Sequence, residues 1–221
     1  MKAKSYKMKR DIYLLSPSAK EDTISLPMIS FSQISSSIDF SNIDTLMFTS
    51  KQAVLTADNI DKKWKNIPCI AIGAATKKQI ESLGGNVIYH PKSYYAKSLN
   101  EDIVEFFKNK NILYLRPKEV SFDSKTYLKK EGIELKEKII YETSCLNYTI
   151  KDKPKKNSII IFTSPSTIKC FLKNFEWDES YIALVIGKAS KIHLPSNAKT
   201  FLADEPMIDA CIKKAKEIEN Y

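Results

Sequence analysis

The 221-residue chain holds five glycines, and only Gly84 and Gly85 are adjacent. That leaves no GxGxxG dinucleotide fingerprint, no GKS/T phosphate loop and no GxSxG nucleophile elbow. A nicotinamide enzyme, an NTPase and a serine hydrolase are therefore poorly supported. Histidine is scarcer still, with His90 and His193 as the only two. A His-based metal site or a Ser-His-Asp triad has few candidates, and no acidic cluster has metal-ligand spacing. Both histidines read as surface or loop residues. Cys69, Cys145, Cys170 and Cys211 are scattered, with no CxxC pair. Among mostly apolar neighbours they read as buried reduced thiols rather than ligands or disulfide partners. No apolar run approaches the roughly 18 residues of a membrane span. The basic start, MKAKSYKMKRDIYLL, carries an apolar run too short for a secretory core segment, so a cytoplasmic location is expected. It is compatible with translation from Met1 or Met8, and with a loose tail over the first ten residues.

What is present is ordinary in amount. Apolar residues make up 43% and charged residues 28%, enough for one large domain or two of about 100 residues with normal cores. The net charge is +9, and lysine far outnumbers arginine. The lysines are spread along the chain, without a helix-turn-helix, zinc-finger or aromatic RNA-binding signature. A small anionic ligand fits that spread better than a polynucleotide.

The informative feature is a repeat. LMFTSKQAV at Leu46–Val54 is echoed by IIFTSPSTI at Ile160–Ile168, 114 positions later. At the same offset Gly73 of AIGAATKK aligns with Gly187 of VIGKASK, Thr76 with Ser190, and Lys77 with Lys191. Two matched blocks at one separation indicate duplication. Upstream, IYLLSP at Ile12–Pro17 resembles LYLRP at Leu113–Pro117 at an offset of 101, pairing Tyr13 with Tyr114. The second copy fills the 13-residue difference with EVSFDSKTYLKKEG, which reads as a helix of three to four turns closed by glycine. The first copy has SAKEDT there.

Apolar β-branched runs alternate with helical patterns, which predicts βαβ units and mainly parallel sheets. Strands are expected over 12–15, 24–31, 45–49, 69–72, 87–89, 112–115, 138–141, 158–163, 182–186 and 200–202. Helices are expected over 51–59, 75–83, 99–108, 121–130, 165–174, 188–193 and 206–219. The last is an amphipathic packing helix. In both FTS blocks a strand end meets a helix start, where Ser50 and Ser164 suit helix capping and Pro165 suits the first turn. Gly73 and Gly187 suit a tight exit from the strand, with Thr76 and Ser190 as further caps. Locally these are structural features. Collectively, they place helix N-termini beyond the carboxyl ends of parallel strands, where carboxylates and phosphates bind.

The ordered set FTSKQAV, AIGAATKKQIESLG, LYLRP, EGIELKEKIIYET, IIFTSPSTIKCFL and VIGKAS resembles the uroporphyrinogen-III synthase family over Ile12–Ile192. No one motif is specific; their order and spacing are. The resemblance implies two similar three-layer α/β domains with mainly parallel sheets, joined by a two-strand linker, with the active-site cleft between them. One domain would hold residues 1–29 plus 142–221 and the other 30–141, with linkers near 27–31 and 139–143. It implies a cofactor-free lyase that takes hydroxymethylbilane, inverts ring D and closes the macrocycle with loss of water, without metal. Tyr141 matches the family's cleft tyrosine and is the catalytic candidate. Ser50, Gly73, Thr76, Arg116, Ser164, Gly187 and Ser190 match substrate-facing positions, with Ser50 and Ser164 meeting the same substrate. Arg116 can equally sit in a structural ion pair, and Tyr141 can equally be a hinge aromatic. The chain departs from the family in Pro117, in Ser121, and in the short VIGKAS helix before Pro195. A monomer is expected, binding neither nucleic acid nor membrane, and handover of substrate from the preceding pathway enzyme is allowed. The competing readings are a non-catalytic two-domain receptor for an anionic small molecule and a basic α/β interaction module.

Overall fold

The computed structural model describes residues 9–93 and 95–219, so Met1, Met8 and most of the expected tail lie outside the described residues. The chain divides into two compact units. Unit 1 comprises the chain up to Ser30 together with the chain from Ser144, and unit 2 is Phe31–Thr143.

Unit 2 is built on β3 (Ile29–Gln33), β4 (Thr45–Phe48), β5 (Cys69–Ala71), β6 (Val87–Tyr89), β7 (Ile112–Pro117) and β8 (Lys136–Cys145). Their order in the sheet is β3-β8-β7-β4-β5-β6. The chain enters unit 2 within β3 and leaves it within β8, and these two strands are neighbours, with the Ile34 N–H donating to the Ile140 carbonyl at 3.0 Å. The helices are α1 (Lys51–Ile60), α2 (Ala74–Ser82), α3 (Ala96–Phe106) and α4 (Ser124–Lys130). Alternation along the strands divides the core in two. Leu46, Phe48, Leu113 and Leu115 pack with Ala53, Val54 and Ala57 of α1 and Ile80 of α2. Met47, Ile70, Ile112 and Tyr114 pack with Leu99 and Ile103 of α3 and Leu128 of α4. That is a three-layer α/β sandwich. A short 3-10 turn, Lys62–Asn66, seats Trp64 fully inside, where a Cβ on Gly85 would come within 2.4 Å of the indole; only glycine fits there.

Unit 1 has β1 (Ile12–Leu14), β2 (Ile24–Ser25), β9 (Ile159–Phe162), β10 (Ile182–Val185) and β11 (Lys199–Leu202), in the order β11-β10-β9-β1-β2 and all parallel. Its helices are α5 (Pro165–Asn174), α6 (Lys188–Lys191) and α7 (Ile208–Ile218). IIIF of β9 is buried along its whole length, as a central parallel strand must be. Ile159, Ile161, Ile182 and Leu184 pack on Cys211, Ile212 and Ala215 of α7, while Phe162 meets Phe171 of α5 edge-on at 5.6 Å.

The duplication is visible as equal strand order, with β6, β5, β4, β7 and β8 answering β11, β10, β9, β1 and β2. The register agrees: Phe48 lies opposite Ala71 as Phe162 lies opposite Val185, both shifted by 114. The first strands are exchanged, since β1 of the first copy joins β9 of the second and β7 joins β4.

Five expectations need correction. The upstream offset is 100 rather than 101, because Leu14 lies opposite Ile161 as Tyr114 lies opposite Met47. A one-residue slip reverses faces, so Leu14, not Tyr13, is the counterpart of Tyr114. The strand expected over 24–31 is broken between β2 and β3 around Pro27, which has no N–H for a ladder. The inserted helix α4 has seven residues, about two turns. Thr76 and Ser190 are not caps: the caps are Gly73 and Gly187, and both hydroxyl residues sit buried three positions further on. Finally, Cys145 and Cys170 are joined by a disulfide with Cα atoms 5.2 Å apart, while Cys69 and Cys211 are buried free thiols. The bridge ties the end of β8 to α5 across 25 positions, a pairing that local spacing does not reveal.

Candidate active site

Of the expected site residues, Ser50, Gly73, Ser164 and Gly187 lie on turns that lead from strand ends into helices, Thr76 and Ser190 in the first turns of those helices, Arg116 near the end of β7 and Tyr141 within β8. In unit 2, Ser50 is the N-cap of α1, and its Oγ accepts the Ala53 N–H at 3.0 Å. The same Oγ lies 2.9 Å from Tyr141 Oη. Tyr141 comes from β8, is 4% exposed, and packs edge-on against Phe31 with ring centroids 5.7 Å apart. Burial pushes its phenol above the usual range, and the bond to Ser50 partly opposes that. The phenol is therefore protonated at neutral pH and can donate or accept.

The next turn in unit 2 exits β5 through Gly73, whose φ of 176° is extended backbone. Gly187 in unit 1 is likewise extended, at −159°. A tight turn therefore does not require glycine at either position. At Gly187 a Cβ would meet nothing within 4 Å, so the surrounding protein leaves room for a side chain there. Thr76 and Ser190 are 4% and 3% exposed in the first turns of α2 and α6.

Ser164 is the N-cap of α5 and is held within its own helix. Its Oγ accepts the Thr167 N–H at 3.3 Å, Thr167 Oγ1 accepts the Ser164 N–H at 3.3 Å, and Pro165 fills the first helical position. Arg116 leaves β7 with its guanidinium already engaged. It donates to Glu137 Oε2 at 3.1 Å and to the Pro117 and Lys118 carbonyls at 3.1 and 3.0 Å. Three of its N–H groups are thus committed to ordering the β7 exit beside β8. His90 and His193 lie in connecting segments, both half-buried.

Thr49 and Tyr114 are not singled out by the residue pattern, yet Thr49 Oγ1 and Tyr114 Oη are 2.6 Å apart, beside the Ser50–Tyr141 pair. Burial pushes the Tyr114 phenol up to about 12. Both residues stand in the motifs FTS and LYLRP; only the parallel pairing of β4 with β7 joins them.

Fold and turns together define a class: an α/β protein of two equivalent, mainly parallel sheets whose strand ends present hydroxyl-capped and glycine-capped helix starts, suited to anionic groups. The model of the family described as uroporphyrinogen-III synthase HemD matches residues 18–213. The chain belongs to the uroporphyrinogen-III synthase family. A crystal structure of uroporphyrinogen-III synthetase from Helicobacter pylori 26695 is similar, with 28% identity, TM-score 0.78, and 95% of this chain and 99% of that one covered. The uroporphyrinogen III synthase of the extremely thermophilic bacterium Thermus thermophilus, in a mutant crystal form, shares the fold at TM-score 0.58 and 9% identity, over 95% and 98% of the two chains. Among curated proteins nothing matches. Among the described residues no helix is long and apolar enough to cross a membrane.

Proposed function

We propose that the protein is a uroporphyrinogen-III synthase, a cofactor-free lyase that cyclises hydroxymethylbilane with loss of water and inversion of ring D. The observation that carries the reading, within a member of this family, is the Ser50–Tyr141 hydroxyl pair at a helix start. The reaction begins when the hydroxymethyl C–O bond of ring A breaks and the pyrrole nitrogen's electrons form an azafulvene. The departing hydroxide must take a proton to leave as water. Tyr141 holds a proton at neutral pH because burial disfavours its phenolate. It supplies a hydrogen bond to the leaving oxygen, while Ser50 Oγ fixes the direction of its O–H. A phenol is a weak acid, so this is assistance rather than full proton transfer.

The larger contribution is positional. Free substrate closes without inversion, so the protein must hold the chain so that ring D reacts at its substituted carbon and passes through a spiro intermediate. Orientation of that kind can supply about 7–11 kcal/mol. The eight substrate carboxylates would be met by the amides at the starts of α1, α2 and α5, by Gly73 and Gly187, and by the hydroxyls of Thr76, Ser164 and Ser190. Arg116 contributes through the N–H groups it does not give to Glu137 and the two carbonyls. The net charge of +9 favours such a substrate. The same reading has the protein working as a cytoplasmic monomer that can receive its substrate from the enzyme that makes it.

The test is incubation with freshly made hydroxymethylbilane, followed by separation of the uroporphyrinogen isomers. The type III isomer is expected to dominate. Type I alone would overturn the reading, and tight binding of uroporphyrinogen without turnover would favour a receptor.

A further inference from the structure

Thr49 and Ser50 are consecutive, but their hydroxyls are tied to opposite faces of one sheet. Thr49 bonds to Tyr114, whose ring packs with Met47, Ile70 and Leu128 on the α3–α4 face. Ser50 bonds to Tyr141, whose ring packs with Phe48, Ala53 and Val54 on the α1–α2 face. A two-residue segment tethered on both faces cannot rotate about its own axis. With the Thr49 tether gone it could pivot about Ser50, and Tyr141 Oη would follow. Resting on the synthase reading above, we propose that Thr49 and Tyr114 are a positioning pair that fixes the Ser50–Tyr141 hydroxyls and so helps decide which carbon of ring D reacts.

The duplicated unit supplies an internal control. Thr163 stands where Thr49 does, yet Leu14 holds the register of Tyr114, and the FTS turn of unit 1 forms without any such phenol. A tyrosine at this place is therefore not needed to build a strand–turn–helix of this kind. It is present only in the unit that also carries Tyr141. The bond is short, both rings are buried, and Tyr114 stays protonated far above neutral pH, so the tether persists throughout the working range.

Tyr114→Phe keeps the ring and removes the tether; Thr49→Val removes its other half, and Thr49→Ser keeps the hydroxyl. Product is measured with enzyme in excess over hydroxymethylbilane, so that free substrate does not cyclise unassisted. Thermal unfolding is recorded in parallel. Tyr114→Phe and Thr49→Val should each slow type III formation about fivefold, the value of one hydrogen bond, and raise the share of type I. Thr49→Ser should behave as wild type, and the double variant should be no worse than either single one. An unchanged isomer share and rate, or effects that multiply in the double variant, would overturn the proposal. Type I alone from the wild type would sink the synthase reading and the pair with it. Type III from the wild type, with unchanged variants, would sink the pair alone.

Discussion

The turns at Ser50 and Ser164 began as the same strand-to-helix element and are now held differently. Ser164 is secured from within: Thr167 completes a reciprocal capping box, and Pro165 pre-sets the first helical residue. Ser50 has Lys51 and Ala53 at those two places, so its helix offers neither device. Its Oγ accepts the Ala53 N–H, as Ser164 Oγ accepts that of Thr167, but it also reaches Tyr141, and the preceding Thr49 reaches Tyr114, residues 91 and 65 positions away. In unit 1 the register of Tyr114 is filled by Leu14. One copy keeps the turn by local chemistry; the other ties it to two strands of its sheet. A hydroxyl fixed by distant strands is placed relative to the whole sheet, which is what a working group needs. Ser164, without such a tie, is placed relative to its own helix.

The two units should part most visibly at the disulfide, which only unit 1 possesses. Closing a loop of 25 positions is worth about 3.5 kcal/mol in the chain-entropy account. Reduction, or a Cys145→Ser/Cys170→Ser variant, should lower protection against hydrogen exchange in α5 and β9 and leave β4 and α1 unchanged. Equal losses in both units would mean that the bridge does not stabilise unit 1 selectively.

Alkali should act on the buried phenols next. Tyr114 and Tyr181 are pushed from 10 to about 12 by burial, so the folded protein holds these protons more tightly than the unfolded chain. Their stabilising contribution is complete below pH 10 and is lost as pH rises from 10 to 12. Cys69 and Cys211, raised from 9 to about 12, extend the decline downward to pH 9. Stability measured by denaturant titration should be flat for these groups around neutrality and fall above pH 9. Tyr114→Phe should make the fall between pH 10 and 12 shallower, and an unaltered slope would show that Tyr114 contributes nothing to it.

The smallest effects separate the two serines most cleanly. Ser50→Ala and Ser164→Ala should each cost about 1 kcal/mol of stability as lost caps. Only Ser50→Ala should also slow type III formation well beyond any effect of Ser164→Ala, because only Ser50 directs Tyr141. Equal losses of turnover would show that the two serines do the same work.

Much of the fold is legible in the residues, and the largest exceptions share a cause. A common offset of 114 exposes the duplication, and β-branched runs locate most strands within a residue or two. The break at Pro27, the length of α4 and the identity of the caps at Gly73 and Gly187 are local misreadings, whereas the larger features missed depend on contacts between positions far apart in sequence. The exchange of β1 and β7 between sheets, the Cys145–Cys170 bridge and the Thr49–Tyr114 bond all belong here. The upstream offset comes out one too large from the letters alone, because IYLL and LYLR match best that way. The faces they present to α7 and to α3 with α4 set the true correspondence of Leu14 with Tyr114. Arg116 reads equally well as a carboxylate ligand or an ion-pair member, and Glu137 becomes visible as its partner only once β7 and β8 are paired.

The sharpest test of the role given to the Ser50–Tyr141 pair is the rate of type III formation in a single turnover by Tyr141→Phe. The expected rate is lower by about tenfold, roughly 1.4 kcal/mol, with thermal stability near that of the wild type and substrate still bound. An unchanged rate would show that the Tyr141 hydroxyl takes no part in the reaction.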